Sequence, residues 1–389
     1  MECLSIVRSL LNELNDNIKY CHWKSNQHFS DALIGIDDLD ILIDRSQYGQ
    51  LIEILQRLKF KHFYTPAPRA YVGVEDFLGF DFDTGKIIHL HLHNQLVVGE
   101  KHLKGFHLPI EKHVLSKRRW DEETRAYLSS YFDELLLLIL RLGMKNRKRD
   151  LIKKNIAEKN TLQEYLWLKE HCINFEQEVA QQDWLSDRIK TMLLRVFKEG
   201  FRWGTMRQLK HYLYCDFACY SQGSGIHNTL KRNMYECARI VLEIKRRYLP
   251  SKYSFLRRRS ATGGVAIAFL GSDGAGKSSA IKEIRQWLLK VMDVRYFYLG
   301  SGDGGSSFIR KPLKLLKRIG QKLRAINITN NYNDSSLNKE KNVSSSMGFA
   351  RKLWVYTLSR ERIKKLVAVN RCKLRGFIVL TYRLSAKGI

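Results

Sequence analysis

The chain reads as a multidomain α/β protein, and three stretches of its 389 residues predict that class. Residues 37–43 alternate carboxylates with aliphatic side chains, the period-two pattern of a strand with one apolar face. Residues 125–250 are rich in Leu, Lys and Glu, carry few glycines before Gly200, and set Leu135, Leu138 and Leu142 at helical spacing. Residues 265–291 pass from an apolar run through a glycine-rich turn into a stretch with Ile281, Ile284, Leu288 and Val291 on one helical face. The expected organisation is an α/β domain over 1–124, a helical domain over 125–250, a linker over 251–263 and an incomplete parallel α/β domain over 264–389.

The glycine-rich turn carries the most information. Gly271, Gly276, Lys277 and Ser278 satisfy the phosphate-loop (P-loop) pattern G-x-x-x-x-G-K-[ST]. The run 265–270 suits a buried parallel strand, so strand, turn and helix stand in the order the motif needs. Backbone N–H groups at such a turn surround a phosphate, and the helix dipole favours the anion. Gly271, Asp273, Gly274, Ala275, Gly276, Lys277, Ser278 and Ser279 are therefore expected to bind a nucleoside triphosphate. Lys277 would stabilise transition-state charge as the catalytic group, and Ser278 would hold Mg²⁺. A chance glycine turn between strand and helix is the plainer reading.

The run from Asp273 to Ser278 (Asp-Gly-Ala-Gly-Lys-Ser) resembles the phosphate loop of thymidylate kinases, and the resemblance extends from near Gly264 to the C-terminus. It implies a doubly wound parallel sheet, ATP with Mg²⁺, and phosphoryl transfer to an acceptor phosphate. Residues 294–299 read as the second strand. The loop after it, 300–305, is Gly-Ser-Gly-Asp-Gly-Gly where thymidylate kinases have Arg-Glu-Pro-Gly-Gly. That makes it more similar to the thymidylate kinase-like proteins of bacterial surface-polysaccharide gene clusters. A third strand, 376–381, ends in Tyr382, Arg383 and Leu384, where the family has Asp-Arg-Tyr. A tyrosine does not replace a carboxylate that organises a dication. The family's lid and adenine-holding segments have no counterpart before Ile389. The expectation is a truncated domain, with the reading frame broken near Tyr382 and 384–389 as an out-of-frame tail; a natural short binding module is the alternative.

The N-terminal third holds a second constellation. Asp38 and Asp40 share one face of a strand, and adjacent carboxylates relax when a dication sits between them. Upstream lie His22, Trp23, Lys24, Ser25 and Asn26; downstream, residues 80–93 read as two strands joined by a turn at Thr84-Gly85. His89, His91 and His93 recur at period two and could hold zinc or manganese. The plainer readings are a turn-and-cap pair at Asp38/Asp40 and polar side chains on a half-exposed strand. The order resembles the nucleotidyltransferase fold of minimal and polymerase-β-like enzymes over residues 15–100. That resemblance implies Mg²⁺ on Asp38 and Asp40 and a triphosphate near Ser25. Lys24-Ser25 stands where a Gly-Ser turn is usual, and His91 stands where a third acid is expected.

The formal charge of +28 calls for an anionic partner. Arg310, Lys311, Lys314, Lys317, Arg318, Lys322 and Arg324 crowd the C-terminal part, and Lys245-Arg246-Arg247 and Arg257-Arg258-Arg259 flank Pro250. Solvated helix faces, attraction to a nucleotide or phosphorylated sugar, and binding to nucleic acid or anionic lipid all fit. No aromatic stacking pattern interleaves with the basic residues, which disfavours nucleic acid. Seven cysteines, odd in number and scattered, suggest a reducing compartment; Cys215 and Cys219 read as buried thiols rather than a zinc pair. Met1-Glu2-Cys3-Leu4 does not open like a signal peptide, and the aliphatic run 135–140 is too short to span a bilayer, so a cytoplasmic location is expected. Residues 327–348, rich in Asn and Ser, read as a flexible loop. The functional expectation is an ATP-binding phosphotransferase acting on a nucleotide or similar phosphorylated acceptor. Its alternatives are a nucleotide-binding module without turnover, or Mg²⁺-dependent nucleotidyl transfer at the N-terminal domain. The acceptor is not legible, and a homodimer is left open.

Overall fold

The structure, a computed structural model, describes residues 3–67, 69–100, 103–145, 157–223, 225–248, 257–272, 274–300 and 341–382. The chain divides into two compact units, 1–250 and 251–389.

The first unit is built on a mixed sheet. Its strands are β1 (Tyr20–His22), β2 (Leu39–Ile43), β3 (Lys61–Tyr64), β4 (Val74–Phe80), β5 (Ile87–His93), β8 (Arg119–Asp121) and β9 (Ala126–Leu128), in the spatial order β3-β4-β5-β2-β1-β9-β8. The β2–β5 and β1–β9 pairs are parallel; the other pairs are antiparallel. Strands β6 (Leu96–Val98) and β7 (Phe106–Leu108) form a separate antiparallel pair.

Period two explains how both faces of the central strands come to be covered. Leu39, Ile41 and Ile43 of β2 and Ile88, Leu90 and Leu92 of β5 join a buried cluster with helices α1 (Ser5–Asn17), α2 (Phe29–Leu33) and α3 (Tyr48–Arg57). Cys21, Trp23 and Leu42 belong instead to a second cluster with α5 (Tyr131–Lys145), which follows the short α4 (Glu111–Ser116). The same cluster takes in α6 (Lys159–His171), α7 (Phe175–Ala180), α8 (Asp187–Glu199) and α9 (Trp203–Asp216). A last helix, α10, spans Gly225–Tyr248. Helix α5 is buried on nearly every side, from Phe132 to Met144. Its run 135–140 is apolar all round because sheet and helices enclose it together, while Asp133, Glu134 and Arg141 beside that run are polar.

Several sequence expectations change here. The position 124/125 lies inside the β8–β9 hairpin, whose second strand pairs with β1, so the helices begin only at Tyr131. The strands of the 80–93 hairpin are β4 and β5, and residues 81–86 are its turn. Cys215 and Cys219 are exposed, at the solvent side of the last turn of α9 and the short 3-10 turn after it.

The second unit contains a three-stranded parallel sheet in which β12 (Ile378–Tyr382) lies between β10 (Ala266–Phe269) and β11 (Val294–Tyr298). Helix α11 (Lys277–Leu288) follows the glycine turn and buries Ile281 and Leu288. The strand before the turn, expected to be buried, is open: Val265, Ile267 and Leu270 are exposed. Helix α12 spans Lys341–Leu374, so 341–348 are helical rather than loop; Ser344, Ser345 and Ser346 fall in its first two turns, where poor helix formers cost least. Residues 301–305 of the loop, the basic residues 310–324 and the tail 383–389 lie outside the described residues. No described helix is long and apolar enough to cross a membrane.

Gly143 fixes the approach of α5 to α9, since a Cβ there would stand 2.9 Å from Leu213 Cδ1 and 3.3 Å from Leu209 Cδ2. Gly143→Leu is expected to overpack this contact and lower unfolding free energy by about 1–3 kcal/mol, read from denaturant midpoints against the wild type.

Candidate active site

Strands β4, β5 and β2 lie side by side, and their registers set three polar residues in one row. Asp40 of β2 is the partner of His91 on β5, and Asp76 of β4 faces the same His91 from the other side. With the aliphatic residues of both strands turned toward α1–α3, Asp40, His89, His91 and His93 share the opposite face. His89 Nδ1 lies 2.6 Å from Asp38 Oδ1, and its Nε2 lies 2.7 Å from Asp76 Oδ1. His91 Nδ1 is 3.2 Å from Asp40 Oδ1 and its Nε2 3.1 Å from Asp76 Oδ1. His93 Nε2 stands 3.2 Å and Lys24 Nζ 2.9 Å from Asp40 Oδ1. The hydroxyl of Thr65 donates to Asp76 Oδ2.

A third carboxylate, Asp76, stands on the strand beside His91. The missing signal was the hairpin register. A two-residue turn at Thr84-Gly85 would have put Leu78 opposite His91. Instead Asp81 closes a wider turn, accepting from Ser5 Oγ, the Ile6 N–H, and the Thr84 N–H and hydroxyl.

Burial works to raise the Asp40 pKa, but Lys24 and hydrogen bonds from His91 and His93 hold it well below the usual carboxylate range. At Asp38 burial is likewise outweighed, chiefly by the hydrogen bond from His89, and the carboxyl is lowered. Burial disfavours charge on His91, yet its bonds to Asp40 and Asp76 raise its pKa; burial pushes His93 down to about 3. Donor atoms converge in two overlapping sets, Asp38/His89/His91 and Asp40/His91/His93, each within 4.8 Å. Such a set fits a divalent cation. The three carboxylates supply oxygen of the kind Mg²⁺ takes, while the imidazoles suit an ion that also accepts nitrogen, such as zinc.

Next to this cluster lies a cavity of about 360 Å³, whose lining includes Lys24, Ser25, Lys104, Arg141, Lys145 and Glu164. Burial, with repulsion from Lys24 and Arg141, pushes the Lys104 ammonium down to about 7; it sits 4.1 Å over the Tyr71 ring. Arg141 lies 5.2 Å from the centre of the Trp23 ring. Ser25 adopts the left-handed conformation (φ 57°), and Asn26 opens a 3-10 turn. The Ser25 N–H donates to Glu164 Oε1 at 3.2 Å. The Asn26 N–H donates to Glu134 Oε1 at 2.9 Å, and its side-chain amide to Glu134 Oε2 at 2.6 Å. Lys104, Arg141, Lys145, Glu134 and Glu164 escaped the sequence reading, since they come from a loop and two helices far from the Asp38/Asp40 strand.

In the second unit the glycine turn is formed by Gly274 (φ 89°) and Gly276 (φ 71°), conformations that suit glycine. Lys277, Ser278 and Ser279 open α11. The Lys277 ammonium donates to the carbonyls of Gly271, at 2.7 Å, and Ser272. Ala275 donates its N–H to the Ser272 carbonyl, and Asp273 lies outside the described residues. Tyr382 ends β12 opposite Phe269, with Lys277 Nζ 5.8 Å from its ring centre. A phenol therefore stands beside the loop lysine where the thymidylate kinase resemblance implies a carboxylate.

Burial raises Glu134 to about 7, with repulsion from Glu164 adding to it against the hydrogen bonds from Asn26. The folded chain then keeps a proton that the unfolded chain releases above the ordinary glutamate value. Stability should fall as pH rises from about 4.5 to 7, by up to about 3 kcal/mol from this group, and Glu134→Gln should flatten that slope in denaturant titrations.

No protein-family model matches the chain, and no curated protein matches it. Among solved structures, the crystal structure of JHP933 from Helicobacter pylori aligns over 62% of this chain and 95% of its own, at 11% identity and a TM-score of 0.23. A likeness at that score carries no argument about fold or activity.

Proposed function

We propose that the first unit binds a nucleoside triphosphate and transfers its nucleotidyl group to an acceptor, releasing pyrophosphate. One observation carries this reading: the Asp40–His91–Asp76 row meets, through Lys24, a cavity lined by four basic side chains. In this reading Lys24, Lys104, Arg141 and Lys145 bind the phosphates and neutralise the departing pyrophosphate. Asp38, Asp40, Asp76 and the histidines would hold a divalent cation, which when bound supplies Lewis-acid charge at the phosphate. The acceptor oxygen forms the new bond to the α-phosphorus as the bond to the bridging oxygen breaks. The acceptor's proton passes to the cluster, whose carboxylates and imidazoles lie within hydrogen-bond reach of one another. Bury the α-phosphate near Asp40 and the β- and γ-phosphates fall among the cations.

A second reading has its own support. The second unit combines a parallel sheet, positive φ at Gly274 and Gly276, and a helix starting at Lys277, the geometry of an ATP phosphate cradle over 271–279 with Ser278 toward Mg²⁺. With Tyr382 at the strand end, ATP binding without phosphoryl transfer is the form of this reading that the residues favour.

Pyrophosphate release from each common nucleoside triphosphate, with Mg²⁺, Mn²⁺ or Zn²⁺ and a panel of sugar phosphates, separates the two. Asp40→Asn should cut turnover on the order of 10²-fold or more, while Lys277→Ala leaves it unchanged. Turnover lost in Lys277→Ala and kept in Asp40→Asn would move the chemistry to the second unit. For the P-loop, Mg-ATP binding should remain by calorimetry in an Arg141→Ala background, where the cavity has lost a phosphate-binding cation, and Lys277→Ala should then abolish it; no such dependence on Lys277 would overturn the cradle reading.

A further inference from the structure

We infer that Glu164 is a specificity-determining residue: its carboxylate occupies a phosphate position in the cavity, and a ligand enters by displacing it. The inference rests on the reading of the cavity as a triphosphate site.

The starting point is the backbone of Ser25 and Asn26. A left-handed residue followed by a helical turn points consecutive N–H groups to one side, a concavity that binds anions. Both N–H groups are already taken by carboxylates of this chain, Glu164 on Ser25 and Glu134 on Asn26.

The two acids differ in what holds them. Glu134 uses both oxygens on Asn26 and is 1% exposed. It is part of a buried network with Ser129 and His22, both of which also bond Asn26. Glu164 reaches Ser25 with one oxygen at 3.2 Å, has Arg141 Nη2 at 3.8 Å from that same oxygen, and lines the cavity wall. It comes from α6, a helix that otherwise has no part in the cluster on the sheet. An anion carried in by a ligand would meet the Ser25 N–H and Arg141 in the place Glu164 Oε1 holds.

Two consequences follow. While Glu164 is in place, it offsets part of the positive charge of Lys24, Lys104, Arg141 and Lys145, so the empty cavity is less repulsive to itself. A ligand must offer Ser25 and Arg141 more negative charge than a carboxylate does. Phosphate chains meet that condition; monocarboxylates and neutral sugars do not. Glu164 thus selects for polyphosphate against weaker anions.

The test is calorimetric titration of the full chain with inorganic tripolyphosphate and, separately, acetate. Glu164→Gln keeps a group able to accept from Ser25 while removing the charge. Glu170→Gln, on the exposed side of the same helix, removes an equal charge without the contact and controls for net charge. Glu164→Gln should bind tripolyphosphate on the order of tenfold more tightly than wild type and gain measurable acetate binding, whereas Glu170→Gln should match wild type. Glu164→Ala, checked for folding by circular dichroism, should show the same direction. Equal or weaker tripolyphosphate binding by Glu164→Gln overturns the inference. If that happens while wild-type binding is still lost in Arg141→Ala, the triphosphate reading of the cavity stands and the displacement alone is wrong. If wild type and all Glu164 variants bind no tripolyphosphate, the cavity reading and the inference fall together.

Discussion

Asp40 is a carboxylate buried in a strand whose other four residues are aliphatic, and much of the first unit is arranged to neutralise it. Its partners come from two separated segments: Lys24 just after β1, and His91 and His93 on β5. These are the strands on either side of β2. The ion pairs therefore tie together the β5-β2-β1 order that hydrophobic burial alone would leave to side-chain volume. Removing one partner of a buried pair typically costs about 3–5 kcal/mol, because the other charge is stranded, so the cluster constrains the fold as much as it offers chemistry.

That constraint also explains what could be read from sequence and what could not. Alternation put Asp38 and Asp40 on one face of their strand and the three histidines on one face of theirs, since period two depends on nothing beyond the strand itself; that the two faces coincide follows from the β2–β5 register. Asp76 was hidden because its place depends on the width of one turn, and that width is set by Asp81 bonding to the start of α1. The cavity residues were hidden for a broader reason: Lys104, Arg141 and Glu164 meet Lys24 only through tertiary packing. In the second unit the glycine turn and the helix after it were legible from local residues, while the exposure of β10 depends on what packs against its faces, which a local apolar run does not reveal.

The two units gather positive charge in different ways. In the first, long basic side chains converge on a cavity and repel one another, which is why the Lys104 ammonium is pushed down to about 7. In the second, one lysine folds over its own loop and bonds two carbonyls, with glycines letting the backbone turn. Four of the chain's 67 lysines and arginines line that single cavity.

Helix α5 gives these observations a mechanical side. Glu134 and Arg141 stand seven residues, nearly two turns, apart on it, so they project from almost the same face. Glu134 braces the Asn26 turn from below, and Arg141 reaches the cavity wall beside Glu164. Because both side chains stand on one helix, the seat of α5 sets the distance between the braced Ser25–Asn26 turn and the Arg141 cation. The depth at which α5 seats is fixed at Gly143, against Leu209 and Leu213. A residue outside both the Asp/His cluster and the cavity lining therefore helps set the geometry of the cavity wall.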